Sequence, residues 1–306
     1  MRRPGLDRDG FIEREGDLAR IPQAFAPVVD AVKAEVTAAF GPVAPGSACL
    51  HSVYLYGSIP RGTAIAGVSD LDVLLALRHE PAPAEEAAAT KVAHTLDARF
   101  RQINGAGILL SSTATLLSEL ERYDLGWFVA CLCTPLLGDD LGRQLPRYRP
   151  TSRLARETNG DLDGALALWR RQLSEAGPGA ERLRLSRLVS RRLVRTGFTL
   201  VMPRWGGWSS DLQESAAVFG EYYPERQEQM QAAAAAARTP TASEPVLSML
   251  ITDLGPWLAA EYLRVHGRKT PRSRPAPAGL VDDQLTGPAA RKTAGEPGTR
   301  GPPWPG

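Results

Sequence analysis

Two aspartates one residue apart are the feature of this sequence with the clearest chemistry. Asp70 and Asp72 stand at the start of a mostly apolar run, residues 70–77, which is typical of a buried strand. Because side chains alternate along a strand, both carboxylates point to the same face. Magnesium is commonly bound by one or two protein carboxylates together with substrate phosphates. We therefore predict that this pair binds Mg²⁺.

A glycine–serine turn precedes the aspartates and completes the arrangement. Gly57 and Ser58 follow a predicted strand over residues 51–56. Glycine lets backbone N–H groups approach a polyphosphate closely, and a serine hydroxyl can donate to a phosphate oxygen. Arg61 lies in the same turn, where it can neutralise phosphate charge. Each feature is common alone. The combination of this turn with two acids at the start of an apolar strand favours a functional site.

The elements that must position these residues form an α/β first half. Its predicted strands cover residues 51–56, 70–77 and 107–112, and its predicted helices cover residues 25–40, 85–100 and 116–137. This order fits a small mixed sheet better than a long doubly wound one.

After about residue 150 every predicted element is a helix. The helical segments are residues 162–173, 180–201, 212–219, 225–238 and 246–266. From residue 268 onward Pro, Gly, Arg and Thr replace the apolar residues, which is typical of a disordered tail. We therefore predict an α/β domain over residues 1–150, an all-helical domain over 151–267 and a disordered tail over 268–306.

Composition places the chain among cytoplasmic proteins. The 306 residues are 43% hydrophobic and carry a net charge of +2, so no global charge drives binding to nucleic acid. The N-terminus is too polar for a signal peptide, no apolar run approaches the ~18 residues of a membrane span, and three cysteines suit a reducing compartment. We expect no membrane partner.

Cys131 and Cys133 are interpreted as buried apolar residues, because Cys49 and the four histidines offer no second ligand pair near them in the sequence.

The stretch over residues 54–75 resembles the signature of the DNA polymerase β-type nucleotidyltransferase superfamily. The resemblance is carried by Gly57-Ser58, Arg61-Gly62 and Ser69-Asp70-Leu71-Asp72. It is strongest to the small bacterial branch, which includes aminoglycoside nucleotidyltransferases and the minimal nucleotidyltransferases of toxin–antitoxin pairs. It is looser to about residue 141, and only architectural in the helical half.

The resemblance implies a set of site residues. Asp70 and Asp72 would be the catalytic residues that bind metal, and Gly57, Ser58, Arg61 and Ser69 would bind a nucleoside triphosphate. The implied enzyme is a Mg²⁺-dependent transferase that moves a nucleoside monophosphate, AMP from ATP, to a hydroxyl and releases pyrophosphate. The acceptor is left open between an aminoglycoside-type small molecule, a protein side chain and an RNA end.

One departure from that family keeps a second hypothesis in view. Active members usually place a third carboxylate on a following strand, whereas residues 107–112 contain no acid. The candidates to replace it are Glu119, Glu121 and Asp124, or acids of the helical half such as Glu214, Glu221, Asp253 and Glu261. The alternative is a nucleotide-binding pseudoenzyme or antitoxin-like partner with a degenerate metal site.

Three further patterns favour structural roles over functional ones. Arg184, Arg187, Arg191 and Arg195 share one face of a helix, which is interpreted as a solvated face in preference to a basic wall over the cleft. The loop over residues 205–208 carries two tryptophans that are expected to pack a turn. The acidic pair at residues 139–140 is expected to cap a helix or turn.

Overall fold

The structure is a computed structural model that describes residues 4–44, 46–177 and 179–272. Its strands are β1 (Leu50–Tyr56), β2 (Leu71–Leu77), β3 (Ala106–Ser112) and β4 (Thr134–Gly138). Its α-helices are α1 (Ala26–Phe40), α2 (Ser58–Arg61), α3 (Pro83–Arg99), α4 (Thr113–Leu116), α5 (Leu125–Trp127), α6 (Ser152–Asn159), α7 (Leu162–Glu175), α8 (Ala180–Trp205), α9 (Leu212–Tyr222), α10 (Gln227–Arg238), α11 (Glu244–Ser248) and α12 (Gly255–His266). Most of the predicted tail, residues 273–306, lies outside the described residues.

The four strands form one mixed sheet in the order β3-β2-β1-β4. β1 pairs antiparallel with both β2 and β4, and β2 pairs parallel with β3. The parallel pair is connected through α3, as a crossover between parallel strands requires. The prediction of a small mixed sheet followed by helices is therefore confirmed.

The two faces of the sheet meet different partners because side chains alternate along each strand. On one face Val53, Leu55, Val73 and Leu75 pack against α1 and α3. On the other face Tyr54, Tyr56, Leu74 and Ala76 belong to a core shared with the helical half. Asp70 and Asp72 have the same parity as Leu74 and Ala76, so they lie on the face that looks toward the helical half.

The long helix α8 is the part of the helical half closest to that face. Its buried side chains include Val189, Leu193 and Phe198, and it packs against α9, α10 and α12. The helical prediction for this half is confirmed in the described residues, where it holds no strand. Two details differ: α6 was not predicted, and a π-helical segment, Met249–Leu254, separates α11 from α12.

The predicted helix over residues 116–137 is wrong. The structure has short helical turns there and then the strand β4, which pairs only with β1 at the edge of the sheet. Pro135 sits in this strand opposite Tyr54, and an edge strand tolerates a residue that cannot donate a ladder hydrogen bond. A five-residue strand with a proline leaves too weak a pattern to separate from the apolar run before it.

A search for membrane-crossing segments was negative over the described residues, since none of their helices combines the required length with sufficient apolarity.

Candidate active site

Asp70 and Asp72 lie together at the start of β2, in a cleft between the sheet and the helical half. Asp70 precedes the strand by one residue, and Asp72 is inside it, between Tyr56 of β1 and Gly107 of β3. Both side chains are buried, with 7% of each residue exposed. The strand therefore presents the two carboxylates side by side, as its alternation predicts.

Each aspartate has one carboxylate oxygen without a partner. Within the described residues, Asp70 Oδ1 and Asp72 Oδ1 are buried and accept no hydrogen bond. Burial, and then the nearby charge of Asp70, raise the pKa of Asp72 to about 7. Burial also raises the pKa of Asp70, although Arg191 and Arg187 oppose the shift. Unpartnered buried acceptors are costly unless something compensates them, and a cation would do so.

Arginines of α8 face the aspartate pair from the helical half. Arg187 Nη1 lies 3.4 Å from Asp70 Oδ2, and Arg191 Nη1 lies 3.8 Å from the same oxygen. Arg195 lines the same cleft, and its charge lowers the pKa of Asp72. Burial and the neighbouring Arg195 lower the pKa of Arg191 to about 10.

The interpretation of this helix face as solvated was therefore wrong for three of its four arginines. Only Arg184, the first of the series, is exposed. The i, i+3, i+7 spacing correctly groups the residues on one face. It does not reveal that this face covers the sheet, because that depends on how the helix packs.

The glycine–serine turn lies directly against the aspartates. Gly57 has φ +80° and ψ −153°, a conformation that side chains rarely permit, and a Cβ placed on it would collide with Asp72 Oδ2. Ser58 and Arg61 line the cleft beside it. The absence of a side chain at residue 57 therefore gives the second aspartate its space.

Ser69 lies at the cleft margin, but its hydroxyl has a local partner. Ser69 Oγ accepts a hydrogen bond from the backbone N–H of Ile65 at 2.9 Å, and the Ser69 carbonyl accepts from the N–H of Asn104 at 3.0 Å. These bonds close the loop that leads into β2. The described contacts of Ser69 are thus those of a residue that holds Asp70 in place.

Glu15 is a cleft residue that sequence reasoning missed. Its Oε1 accepts a 2.6 Å hydrogen bond from Trp208 Nε1 and another from Ser210 Oγ, and its Oε2 lies 3.3 Å from Arg61 Nη1. It therefore ties the turn after β1 to the loop that follows α8. No local pattern marks Glu15, because the partners of its side chain are all distant in sequence.

A third carboxylate does not join the aspartate pair. β3 is acid-free, and within the described residues no histidine, cysteine, aspartate or glutamate is grouped with Asp70 and Asp72 at metal-sharing distance. Of the predicted replacements, Glu121 and Asp124 line the cleft, whereas Glu119 is exposed and pairs with Arg122.

The acids proposed from the helical half lie elsewhere. Asp253 pairs with Arg226, and Glu261 pairs with Arg264, outside the cleft lining. Glu214 and Glu221 are also absent from that lining. In the described part of the helical half, the acids that do line the cleft are Asp161 and Asp211.

A second acidic cluster lines the cleft and holds basic residues of the segment after α12. Lys269 Nζ lies 2.6 Å from Asp124 Oδ2 and 3.3 Å from Asp161 Oδ2. Arg272 Nε lies 2.8 Å from Glu121 Oε1. Burial raises the pKa of Asp124, and Lys269 opposes that shift. Residues 268–272 of the predicted tail therefore run along the cleft and fill this cluster with two cations.

The cleft as a whole is large enough for a nucleotide and a second molecule. Its volume is about 1390 Å³, and its walls carry the aspartate pair, the arginines of α8, the acidic cluster and aromatic side chains. Those aromatics include Trp127, Phe128, Phe198 and Trp208. Small-ligand pockets typically occupy roughly 300–1,000 Å³, so a single ligand would leave about a quarter or more of this space free.

The remaining sequence predictions about packing are confirmed. Trp208 is buried edge-on against Trp127, with ring centroids 4.8 Å apart. Asp140 accepts the backbone N–H of the turn that follows it. Cys131 and Cys133 are buried free thiols, and burial raises the pKa of Cys131 to about 12.

The sequence of this chain matches no known protein family or curated protein. Among solved structures, the chain is similar to spectinomycin adenyltransferase AAD(9) from Enterococcus faecialis, described with ATP and spectinomycin. The two share 12% identity over 76% of this chain and 98% of the other, with a TM-score of 0.48. A likeness this loose leaves the function to be argued from the residues of the cleft.

Proposed function

We propose that this protein is a Mg²⁺-dependent nucleotidyltransferase that moves AMP from ATP to a hydroxyl of a cationic acceptor. One observation carries the proposal: two buried carboxylates, each with an unpartnered oxygen, share a cleft with the arginines of α8. Such a site has the oxygen ligands for a hard cation and the guanidinium groups for phosphate. The resemblance of residues 54–75 to nucleotidyltransferase motifs supports transfer of a nucleoside monophosphate.

The residues fit a magnesium ion. Asp70 and Asp72 would hold it, and their orphaned Oδ1 atoms are the acceptors that it would satisfy. When bound, Mg²⁺ neutralises the charge of a triphosphate and of the transition state. Without a cation the second carboxylate resists ionisation, since the pKa of Asp72 is raised to about 7.

The arginines of α8 supply the second half of phosphate recognition. Arg187 and Arg191 approach Asp70 from across the cleft, while Arg61 lines the cleft from the turn after β1 and its charge lowers the pKa of Asp72. Guanidinium groups bind phosphate oxygens in a bidentate manner, which fixes orientation as well as charge. A triphosphate between the two walls would exchange the arginine–aspartate contacts for arginine–phosphate contacts.

The acidic cluster favours an acceptor that carries positive charge. Glu121, Asp124 and Asp161 bind Lys269 and Arg272 in this structure, so the pocket accommodates both an ammonium and a guanidinium group. An aminoglycoside-type molecule presents amino groups beside hydroxyls and suits such a wall. An RNA end carries the opposite charge. The experiment below distinguishes an aminoglycoside from the other two acceptors, an RNA end and a protein side chain.

The proposed transfer needs no oxidant or reductant. The acceptor hydroxyl oxygen attacks the α-phosphorus, the bond from that phosphorus to the bridging oxygen breaks, and pyrophosphate leaves. The hydroxyl proton passes to a cleft carboxylate or to solvent. The protein's part is positioning and charge stabilisation, which dominate catalysis of phosphoryl-type transfers.

The deciding experiment follows label from the α-phosphate. The full chain is incubated with Mg²⁺ and each α-labelled nucleoside triphosphate, in separate reactions with aminoglycosides, total RNA or a protein extract. Transfer from ATP to an aminoglycoside that is lost in Asp70→Asn/Asp72→Asn supports the proposal in full. Transfer to RNA or protein would keep the reaction and change the acceptor.

A nucleotide-binding protein without turnover is the second candidate. It is favoured by the acid-free β3 and by the absence, among the described residues, of a third carboxylate at metal-sharing distance from the pair. ATP binding that depends on Asp70 and Asp72, with no transfer to any acceptor, would establish this candidate instead. Failure to bind any triphosphate would eliminate both.

A further inference from the structure

Three side chains with different metal-binding groups meet at the ends of β1 and β2 that lie far from the aspartate pair. Cys49 immediately precedes β1, His79 follows β2, and Glu85 lies in the first turn of α3. One ligand atom from each lies within 4.8 Å of the other two. The sequence does not show this grouping, because 30 residues separate the cysteine from the histidine; antiparallel pairing of β1 with β2 brings them together.

Two of the three separations between ligand atoms are close to those of a tetrahedral metal site, and the third, between Cys49 and His79, is at most 4.8 Å. Glu85 Oε1 lies 3.2 Å from Cys49 Sγ and 3.3 Å from His79 Nε2. With usual zinc bond lengths, tetrahedral N and O ligands lie ~3.3 Å apart and S and O ligands lie ~3.5 Å apart. The two distances that involve Glu85 therefore already match those of a zinc site.

Two of the three side chains are also held in the orientation that a metal requires. His79 Nδ1 lies 3.1 Å from the backbone carbonyl of Glu80, so a proton on Nδ1 makes a hydrogen bond and leaves the Nε2 lone pair facing the cluster. Glu85 Oε2 accepts the backbone N–H of Ala82 at 2.8 Å, which directs Oε1 toward the cysteine. Hydrogen bonds to the far atoms of ligands are the usual support of metal sites.

We propose that Cys49, His79 and Glu85 bind one zinc-type divalent ion, independently of the aspartate pair and of the proposed function. The ligand set of one thiolate, one imidazole and one carboxylate suits zinc better than magnesium, which prefers oxygen alone. Three protein ligands leave a fourth position for water or another small ligand.

The position of the site in the fold indicates a structural role for the ion. β1 has seven residues, Leu50–Tyr56, and its six steps of about 3.4 Å span roughly 20 Å, so the cluster and the aspartate pair lie at opposite ends of the strands. The backbone already joins the cluster, since the N–H of Arg78 donates to the Cys49 carbonyl at 2.8 Å. A bound ion would fasten the start of β1, the end of β2 and the start of α3 to one another.

The test measures binding of zinc and cobalt alone to the full chain. The parent carries Asp70→Asn/Asp72→Asn, so that the aspartate pair does not contribute. We expect one equivalent of Zn²⁺, a higher melting temperature with zinc, and a thiolate-to-cobalt charge-transfer band with Co²⁺. Cys49→Ser should abolish the band, and His79→Ala should weaken binding at least ~10-fold.

The control is His94→Ala, which removes an exposed histidine from α3 and should change nothing. If Cys49→Ser fails to fold, alkylation of the parent gives the answer: zinc should protect Cys49 from iodoacetamide, while the buried Cys131 and Cys133 serve as internal references. No bound zinc, a cobalt complex without the thiolate band, or binding unchanged in His79→Ala would overturn the proposal.

Discussion

Asp70 and Arg187 face each other across the cleft, with 3.4 Å between Asp70 Oδ2 and Arg187 Nη1. The aspartate belongs to the sheet and the arginine to α8, so this pair joins the two halves at the candidate metal site. Only one oxygen of Asp70 takes part, and the other is left unpartnered. The contact therefore neutralises part of the negative charge of Asp70 and leaves its Oδ1 atom available to bind a cation.

Removing either carboxylate should greatly slow transfer, and removing Asp72 should also make the metal-free protein more stable at alkaline pH. Asp70→Asn and Asp72→Asn each delete a predicted magnesium ligand, and we expect a loss of ~10²-fold or more in kcat, the scale seen when a charge-stabilising group is lost. Asp72→Asn should raise the melting temperature at alkaline pH, because it removes a buried charge that is costly to hold. Label transfer and thermal unfolding measure the two effects. Activity retained in both variants would contradict the site.

Magnesium should stabilise the protein more at alkaline than at acid pH. Burial and the charge of Asp70 raise the pKa of Asp72 from 3.8 to about 7, so the folded protein holds a proton that the unfolded chain has already released. The stability that this proton contributes is present at low pH and is lost as pH rises through about 7. Mg²⁺ binds the ionised form, so its stabilising effect should increase over the same window.

Thermal unfolding with and without Mg²⁺, at about pH 5.5 and about pH 8, checks this expectation. Asp72→Asn is the control, in which the magnesium-induced shift should be small at both values. A shift of equal size at both values in the parent would show that Asp72 is not the titrating ligand.

Local sequence patterns predicted the parts of the site that are local. Gly57, Asp70 and Asp72 sit at strand ends, and strand alternation alone places both carboxylates on one face. The partners of those residues depend on packing between distant segments, so no window of sequence contains them. Glu15, 193 residues from Trp208, is one example. The same limit explains why β4 was missed: its identity as a strand comes from pairing with β1 at the sheet edge.

Substituting arginines of α8 should weaken nucleotide binding in proportion to their nearness to the aspartates. Arg191→Ala removes a guanidinium that faces Asp70, and we expect a roughly 10- to 100-fold weaker Kd for ATP, on the scale of about 1.5–3 kcal/mol for a hydrogen bond to a charged group. Arg184→Ala is the matched control, since it changes an exposed arginine on the same helix. Titration of ATP in the presence of Mg²⁺ measures both. Equal effects from the two variants would indicate general electrostatics in place of a defined phosphate contact.

Gly57→Ala should impair both folding and activity, because two costs coincide at this position. The backbone conformation disfavours any side chain, and the new methyl group would collide with Asp72 Oδ2. Gly67→Ala is the control: Gly67 also has a positive φ, at +75°, but no atom lies within 4 Å of its would-be Cβ. Gly67→Ala should cost about 1–2 kcal/mol of unfolding free energy and leave activity intact. Gly57→Ala should cost more and lose transfer, and a result no worse than the control would contradict close packing of the turn on Asp72.

Removing the two cations from the acidic cluster should improve binding of a cationic acceptor. Lys269 and Arg272 occupy Glu121, Asp124 and Asp161, so an acceptor must displace them before it binds. Lys269→Ala/Arg272→Ala frees these carboxylates, and we expect the acceptor KM to fall several-fold, because the competent state is no longer partly blocked. The KM for ATP should not change, since the phosphate-facing arginines are untouched.

The control is Arg268→Ala, which removes a neighbouring arginine that pairs with the exposed Asp163. Steady-state kinetics with acceptor and nucleotide varied separately distinguish the outcomes. A higher acceptor KM in the double variant would mean that Lys269 and Arg272 are part of the acceptor site, and would contradict the role of the acidic cluster as a pocket for cations.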